Sequence, residues 1–124
     1  MHLADSSVWI EHFVGGPNAE TYLPILEDPG NLIVPTIVIY EVCRFLLRKG
    51  GRAAAFEGAR QLELGIVIGL DTAISLRAAK LGHQHNLPAA DSIVYATAQQ
   101  HNATLWTQDE DFRKLPGVRY FRKK

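Results

Sequence analysis

The sequence predicts an α/β fold in which a central, mainly parallel sheet of about five strands lies between layers of helices. The first observation is that short, β-branched apolar runs alternate with longer segments of helical periodicity. Strands that alternate with helices are joined by crossovers, which give parallel strands covered on both faces. The second observation is the composition: 124 residues, 47% apolar and 21% charged, are typical of one folded domain. We therefore expect a single domain over residues 1–124.

Residues 1–35 contain two predicted strands and two predicted helices. Residues 3–4 form a brief apolar strand, and Ser6 or Ser7 offers a side-chain oxygen that caps the amphipathic helix after it. Pro17 opens the second helix, because proline fits the first helical turn. The apolar run at residues 31–34 is the second strand, and a proline closes it.

Residues 36–70 contain two predicted helices separated by a glycine pair, followed by a strand. The first helix runs from about residue 36 to residue 49, because Gly50 and Gly51 are typical of a helix end. The second covers roughly residues 52–62. The segment GIVIGL at residues 65–70 is rich in β-branched side chains, which predicts a buried strand.

The last part of the chain repeats the alternation. Asp71 begins a helix that reaches about residue 85, and Pro88 opens another that ends near residue 101. Short strands are predicted at residues 104–107 and 118–121. In parallel sheets of this kind, ligands bind beyond the carboxyl ends of the strands, so the residues at those ends are the first candidates for function.

Four carboxylates occupy positions where they are costly unless something neutralises them. Asp5 and Asp109 follow predicted strands, and Glu41 and Asp91 share the apolar stripes of predicted helices. Each alone has an ordinary explanation, such as a helix cap or an ion pair with a nearby arginine. If the four converge, they repel one another and require a counter-charge. A divalent cation such as Mg²⁺ or Mn²⁺ can supply it and activate a water, so metal-assisted hydrolysis of phosphodiester bonds follows as a hypothesis.

The same acids lie in four segments that resemble a known family: LADSSVWIEHF, IYEVCRFL, LPAADSIVYATA and LWTQDEDF. Their order and spacing over essentially the whole chain are similar to those of the PIN-domain nucleases, and more narrowly to the VapC-type ribonuclease toxins of toxin–antitoxin pairs. The resemblance implies a PIN-like three-layer α/β/α sandwich and a metal-dependent endoribonuclease. It also implies an RNA substrate, a homodimer and a cognate antitoxin that threads a peptide across the site.

Carried over by position, the resemblance assigns catalysis and the binding of Mg²⁺ or Mn²⁺ to four acids, Asp5, Glu41, Asp91 and Asp109. It assigns supporting roles to two hydroxyl residues beside them, Ser6 and Thr107. The segment TQDEDF contains a further acid, Asp111, which is the second choice after Asp109. Four metal-free carboxylates form a negative pocket, so we expect the antitoxin to insert a basic residue, arginine rather than lysine.

The charge distribution adds candidate RNA contacts. Thirteen basic and thirteen acidic residues cancel, which excludes a global attraction to nucleic acid. Six basic residues and no acidic one lie between residues 112 and 124. A second basic patch contains the candidate RNA-binding residues Arg44, Arg48, Lys49 and Arg52. Both patches are equally consistent with solvated surfaces.

The sequence also favours a cytoplasmic location. A single cysteine excludes an intrachain disulfide framework, and neither a secretory signal nor a membrane-length apolar run is visible.

Two other functions compete with the nuclease. A phospho-acceptor signalling domain has a similar length and fold, but it needs two adjacent acids after the first strand, where this chain has Asp5 followed by Ser6. Asp71 does follow the predicted strand GIVIGL, as an acceptor would, but it is typical of a helix start. A PIN-like module that binds RNA or protein without cleaving is the other alternative, and the intact set of four acids argues against it.

Overall fold

A single five-stranded sheet organises the chain in the computed structural model, which describes residues 1–124. The strands are β1 (His2–Ala4), β2 (Leu32–Pro35), β3 (Ile66–Ile68), β4 (Thr104–Thr107) and β5 (Val118–Tyr120). Their order across the sheet is β3-β2-β1-β4-β5, and all four pairings are parallel. The carboxyl ends of all strands therefore share one edge, as the predicted fold class requires.

Helical crossovers connect the strands and complete the three-layer α/β/α arrangement. The helices are α1 (Ser6–Val14), α2 (Ala19–Leu26), α3 (Thr36–Glu63), α4 (Thr72–His85) and α5 (Ala89–Gln100), with 3₁₀ turns at Pro29–Asn31 and Glu110–Phe112. α3 is interrupted at Gly51, whose φ of 82° and ψ of −170° leave the helical region. That backbone suits a residue without a Cβ, and it confirms the predicted break. None of the helices has the length and apolar character needed to cross a bilayer.

The core is one cluster of 25 buried apolar residues that covers both faces of the central strands. Leu3 of β1, Val34 of β2 and Leu105 of β4 are all fully buried. A strand that is apolar on both faces belongs in the interior of a parallel sheet. Because β1 is the middle strand, the end of β1 is the middle of the carboxyl edge.

Two local predictions were wrong. The N-cap of α1 is Asp5 rather than Ser6 or Ser7. Asp5 has the extended backbone that an N-cap residue needs, and its carboxylate accepts a hydrogen bond from the Val8 amide. The strand around Val67 is not buried: β3 is an edge strand paired only with β2, and Val67 is 41% exposed. β-branched side chains suit an edge position as well as a central one.

Candidate functional site

Three carboxylates meet beside the carboxyl edge of the sheet. Asp91 lies in the first turn of α5, and Asp109 follows β4. The Asp109 carboxylate accepts the amide of Asp111 at 2.9 Å, which caps the 3₁₀ turn and folds Asp111 back toward the sheet. One carboxylate oxygen from each of the three lies within 4.8 Å of the others. Three acidic oxygens this close form a donor set for a hard cation.

Asp5, at the end of the middle strand, borders this cluster from the buried side. Its side chain is 5% exposed. The Ser7 hydroxyl donates to Oδ1 at 2.5 Å, and the Thr107 hydroxyl donates to Oδ2 at 2.5 Å. The Val8 amide also donates to Oδ1, at 3.3 Å. The carboxylate is therefore fixed in orientation by three donors.

Both hydroxyls that hold Asp5 are themselves held by the chain that follows β4. The Gln108 amide donates to Ser7 Oγ at 2.9 Å, and the Asp109 amide donates to Thr107 Oγ1 at 2.9 Å. The same segment therefore supplies one cluster acid and orients another. Any shift of this segment moves Asp5 and Asp109 together.

Behind the edge, a buried polar network fixes the Gln108 side chain. Its Oε1 accepts from Asn18 Nδ2 at 2.7 Å and from the Tyr22 hydroxyl at 2.8 Å. The backbone amide of Asn18 donates to the Glu11 carboxylate at 2.8 Å. Asn18 Nδ2 also donates to the Arg122 carbonyl at 3.1 Å. The network links α1, the start of α2 and the C-terminal segment to the site, and buried polar groups satisfied in this way give a rigid support.

Glu41 approaches from α3 and is half-buried. Burial raises the pKa of Glu41, and the negative charge of Asp109 raises it further, while the Ser6 hydroxyl lowers it. The Ser6 hydroxyl therefore lies close to Glu41, and the Asp5 carboxylate accepts from other donors. The hydroxyl that contacts Asp5 belongs to Ser7, which was not predicted, although an acid followed two residues later by serine is a local signal for such a bond.

The electrostatics of the site favour a bound cation. Burial raises the pKa of Asp91 from 3.8 to about 7, with further contributions from the charges of Asp109, Asp111, Asp5 and Glu41, in that order. Burial likewise raises the pKa of Asp5 to about 6, and its hydrogen bonds only partly oppose this. Buried carboxyl groups whose pKa is raised, with further acids close by, are typical of functional sites that bind a cation.

The charge of Asp109 raises the pKa of each of the other three predicted acids, Asp5, Glu41 and Asp91. The tightest cluster, however, contains Asp91, Asp109 and Asp111 rather than Asp5 or Glu41. Asp111, the second choice from sequence, therefore belongs to the candidate site. Asp5 and Glu41 form its buried side and its α3 side.

The four candidate RNA-binding residues do not form part of the acidic cluster. They are exposed, and they lie on α3 up to and just beyond its break. Arg44 is partly engaged, because its guanidinium donates to the Tyr40 hydroxyl at 2.8 Å. Their role remains a prediction.

Comparisons with known proteins agree with this architecture. A family model described as the PIN domain matches residues 3–118. Similar solved structures include a toxin–antitoxin complex from Klebsiella pneumoniae, with 26% identity, 96% of each chain covered and a TM-score of 0.83. VapC20 from Mycobacterium tuberculosis, a sarcin-ricin loop cleaving toxin, matches with 18% identity over 94% of this chain and 95% of that one, TM-score 0.77. VapBC2 from Rickettsia felis, bound to a promoter DNA fragment, matches with 15% identity over 99% of this chain and 98% of that one, TM-score 0.74. No curated protein matches the chain.

Proposed function

Because the chain belongs to the PIN domain family, we propose that it is a metal-dependent endoribonuclease and the toxin of a type II toxin–antitoxin pair, acting in the cytoplasm. The observation that carries the proposal is the meeting of Asp91, Asp109 and Asp111 within 4.8 Å beside the sheet edge where α/β enzymes bind ligands. The toxin assignment is supported by the similarity to the Klebsiella pneumoniae toxin–antitoxin complex.

The donor set fits Mg²⁺ or Mn²⁺, because every donor is a carboxylate oxygen. Asp91 and Asp109 would hold the ion with Asp111, and Asp5 and Glu41 would complete its surroundings. In that position the cation would supply two things, activation of a water for attack and neutralisation of the charge that develops on a phosphoryl oxygen. The raised pKa of Asp91 means that this group releases its proton most readily when a cation is present.

The residues around the ion have distinct tasks. Asp5 already accepts two hydrogen bonds at Oδ1 and one at Oδ2, and a carboxylate oxygen accepts about two. Only Oδ2 therefore keeps a free lone pair for the cation or for an attacking water. Thr107 holds that oxygen in place, while Ser7 and the Val8 amide hold Oδ1. Glu41, half-buried on α3 with a raised pKa, would exchange a proton with water or with the leaving group.

The proposed antitoxin would occupy the pocket on the other side of Asp109. This pocket has a volume of about 550 Å³ and joins the apolar side chains Ile10, Val14 and Phe45 to the polar Ser6 and Asp109. An amphipathic antitoxin helix suits the apolar part. A basic residue from that helix would neutralise the carboxylates in place of the cation. We also propose that the protein forms the homodimer that the family resemblance implies.

The test is cleavage of a fluorogenic RNA by the purified protein, with EDTA and then with Mn²⁺ or Mg²⁺ added back. We expect no cleavage in EDTA and recovery with either ion. Asp91→Asn and Asp109→Asn should each lower the rate by at least a hundredfold, a barrier change of about 2.7 kcal/mol. Glu57→Gln, an exposed acid on α3, is the matched control and should cleave at the wild-type rate.

Other outcomes would select the alternatives. RNA binding without cleavage under any metal would identify a non-catalytic PIN-like module. Labelling by acetyl phosphate would favour the phospho-acceptor domain, although Asp71 caps α4 through the Ile74 amide at 2.8 Å. That bond leaves Asp71 with a structural role at the edge of the sheet.

A further inference from the structure

A second pocket lies beside the acidic cluster and has the opposite charge. It has a volume of about 520 Å³ and is lined by Glu110, Arg113, Tyr120 and Arg122. Glu110 lies between two cluster acids in the chain, so this wall of the pocket is one residue away from the cluster. Two guanidinium groups against one carboxylate give the pocket a net positive charge. Its walls are thus suited to an anion next to the candidate metal site.

The backbone that presents these side chains is anchored. The Arg122 carbonyl accepts from Asn18, and the amide of the preceding Phe121 donates to the Thr107 carbonyl at 2.9 Å. On the facing side, the Arg113 amide donates to the Glu110 carbonyl at 3.0 Å. The Arg113 guanidinium lies 5.9 Å from the centre of the Tyr120 ring. Two arginines and one aromatic ring are therefore held around one cavity.

We propose that this pocket binds the nucleotide next to the cleaved bond: Arg113 and Arg122 hold its phosphate, and Tyr120 stacks on its base. This inference rests on the proposed nuclease function. Guanidinium groups bind phosphate oxygens in a bidentate geometry. Aromatic side chains stack on unpaired bases of any sequence. An RNA strand seated here carries its neighbouring phosphate to Asp109 and Asp111.

Other basic residues of the C-terminal segment lack this arrangement. The Arg119 guanidinium packs on two other rings, 4.4 Å from the centre of Trp106 and 5.3 Å from that of Phe121, and it does not line the pocket. Lys114 is exposed and is not among the residues that line the pocket. Arg113 and Arg122 therefore line the pocket, whereas Lys114 and Arg119, which carry the same charge, do not.

The test compares Arg113→Gln and Arg122→Gln with Lys114→Gln in cleavage of a single-stranded fluorogenic RNA with Mn²⁺. The two arginine variants should raise KM about tenfold with little change in kcat, the loss expected for one charged hydrogen-bonded contact. Each should also reduce the slope of log(kcat/KM) against log salt by about 0.7. Tyr120→Leu should raise KM and leave the slope unchanged. Arg113→Lys should fall between Arg113→Gln and the wild type. Lys114→Gln should behave as wild type.

Binding of the same RNA is measured in parallel by fluorescence anisotropy, so the pocket is tested even if the wild type does not cleave. A wild type that binds but never cleaves refutes the proposed function, whereas the affinities of the variants still decide the pocket. Equal KM and equal affinity for Arg113→Gln, Arg122→Gln and Lys114→Gln, with unchanged melting temperatures, would overturn the inference. Unchanged RNA binding with lost antitoxin binding would also overturn it, because the occupant would then be an acidic segment of the antitoxin.

Discussion

Replacing Asp91 with asparagine should stabilise the metal-free protein while abolishing its activity. The carboxyl group lies in the first turn of α5 among four other acids, and the pKa raised to about 7 measures how unfavourable its ionised form is in the folded state. Asparagine has nearly the same shape and carries no charge. It therefore removes the cost of burying the charge and the repulsion by the neighbouring acids, and it leaves the packing of α5 intact.

The size of the effect follows from the pKa. A shift from 3.8 to about 7 corresponds to about 4 kcal/mol at 1.36 kcal/mol per unit. Asp91 is only half-buried, and solvent screening lowers this to about 2 kcal/mol. For a chain of this length, that is roughly 6–10 °C in melting temperature.

The stabilisation of the variant should depend on pH in a definite direction. Folded Asp91 keeps its proton up to higher pH than unfolded Asp91, so the folded state binds more protons between these pKa values. The free energy of unfolding of the wild type therefore falls as pH rises from about 4 to about 7, and then levels off. The variant lacks this contribution, so its advantage should be near zero at pH 4 and complete above pH 7.

The measurement is a series of thermal melts in EDTA between pH 4 and pH 8, repeated at pH 8 with Mn²⁺. Mn²⁺ should raise the melting temperature of the wild type more than that of Asp91→Asn, because only the wild type has the full ligand set. Glu57→Gln should show no comparable change. A variant that is less stable than wild type at pH 8 without metal would refute the idea that Asp91 is electrostatically strained.

Three further predictions follow from other parts of the molecule. Thr107→Val should lower kcat/KM roughly tenfold or more, because Asp5 Oδ2 and the Asp109 amide both lose their partner; Thr107→Ser should restore most of the rate, and failure of this rescue would assign the loss to packing. Neutralising Arg48, Lys49 and Arg52 together should reduce the salt slope of RNA binding by about 2, and an unchanged slope would make this patch a solvated surface. Gly82→Ala should lower the free energy of unfolding by about 1–3 kcal/mol, since the new Cβ would clash with Ser92 Oγ. Thermal melts compare it with Gly30→Ala, where the space is open, and equal losses of stability in the two variants would contradict the prediction.

Local sequence patterns are sufficient to predict most of the elements. The α3 break was predictable because only glycine tolerates the backbone of Gly51. The edge position of β3 was not, because strand order is decided by which crossovers pack together, and no local run contains that information. An apolar run such as residues 66–68 looks the same in the middle of a sheet and at its edge.

The candidate site, too, is only partly predictable from local sequence patterns. The positions of Asp5 and Asp109 at strand ends, and of Asp91 at a helix start, are readable from periodicity. The inclusion of Asp111 is not, because it depends on the 3₁₀ turn that the Asp109 carboxylate caps. The support from Gln108 is also hidden, since its partners Asn18 and Tyr22 lie 90 and 86 residues away in the chain.

The central position of β1 has a consequence for synthesis on the ribosome. β1 is the first strand to leave the exit tunnel, yet its register pairs His2 with Thr104 and Ala4 with Trp106. A nascent chain that lacks its last fifth has no neighbour for one side of its middle strand, and such long-range pairing closes late in folding. Asp5 acquires the Thr107 hydroxyl, and Asp91 acquires Asp109 and Asp111, only at that moment. A translation product that stops before β4 would therefore lack the assembled site, which forms only after residues 104–111 have been made.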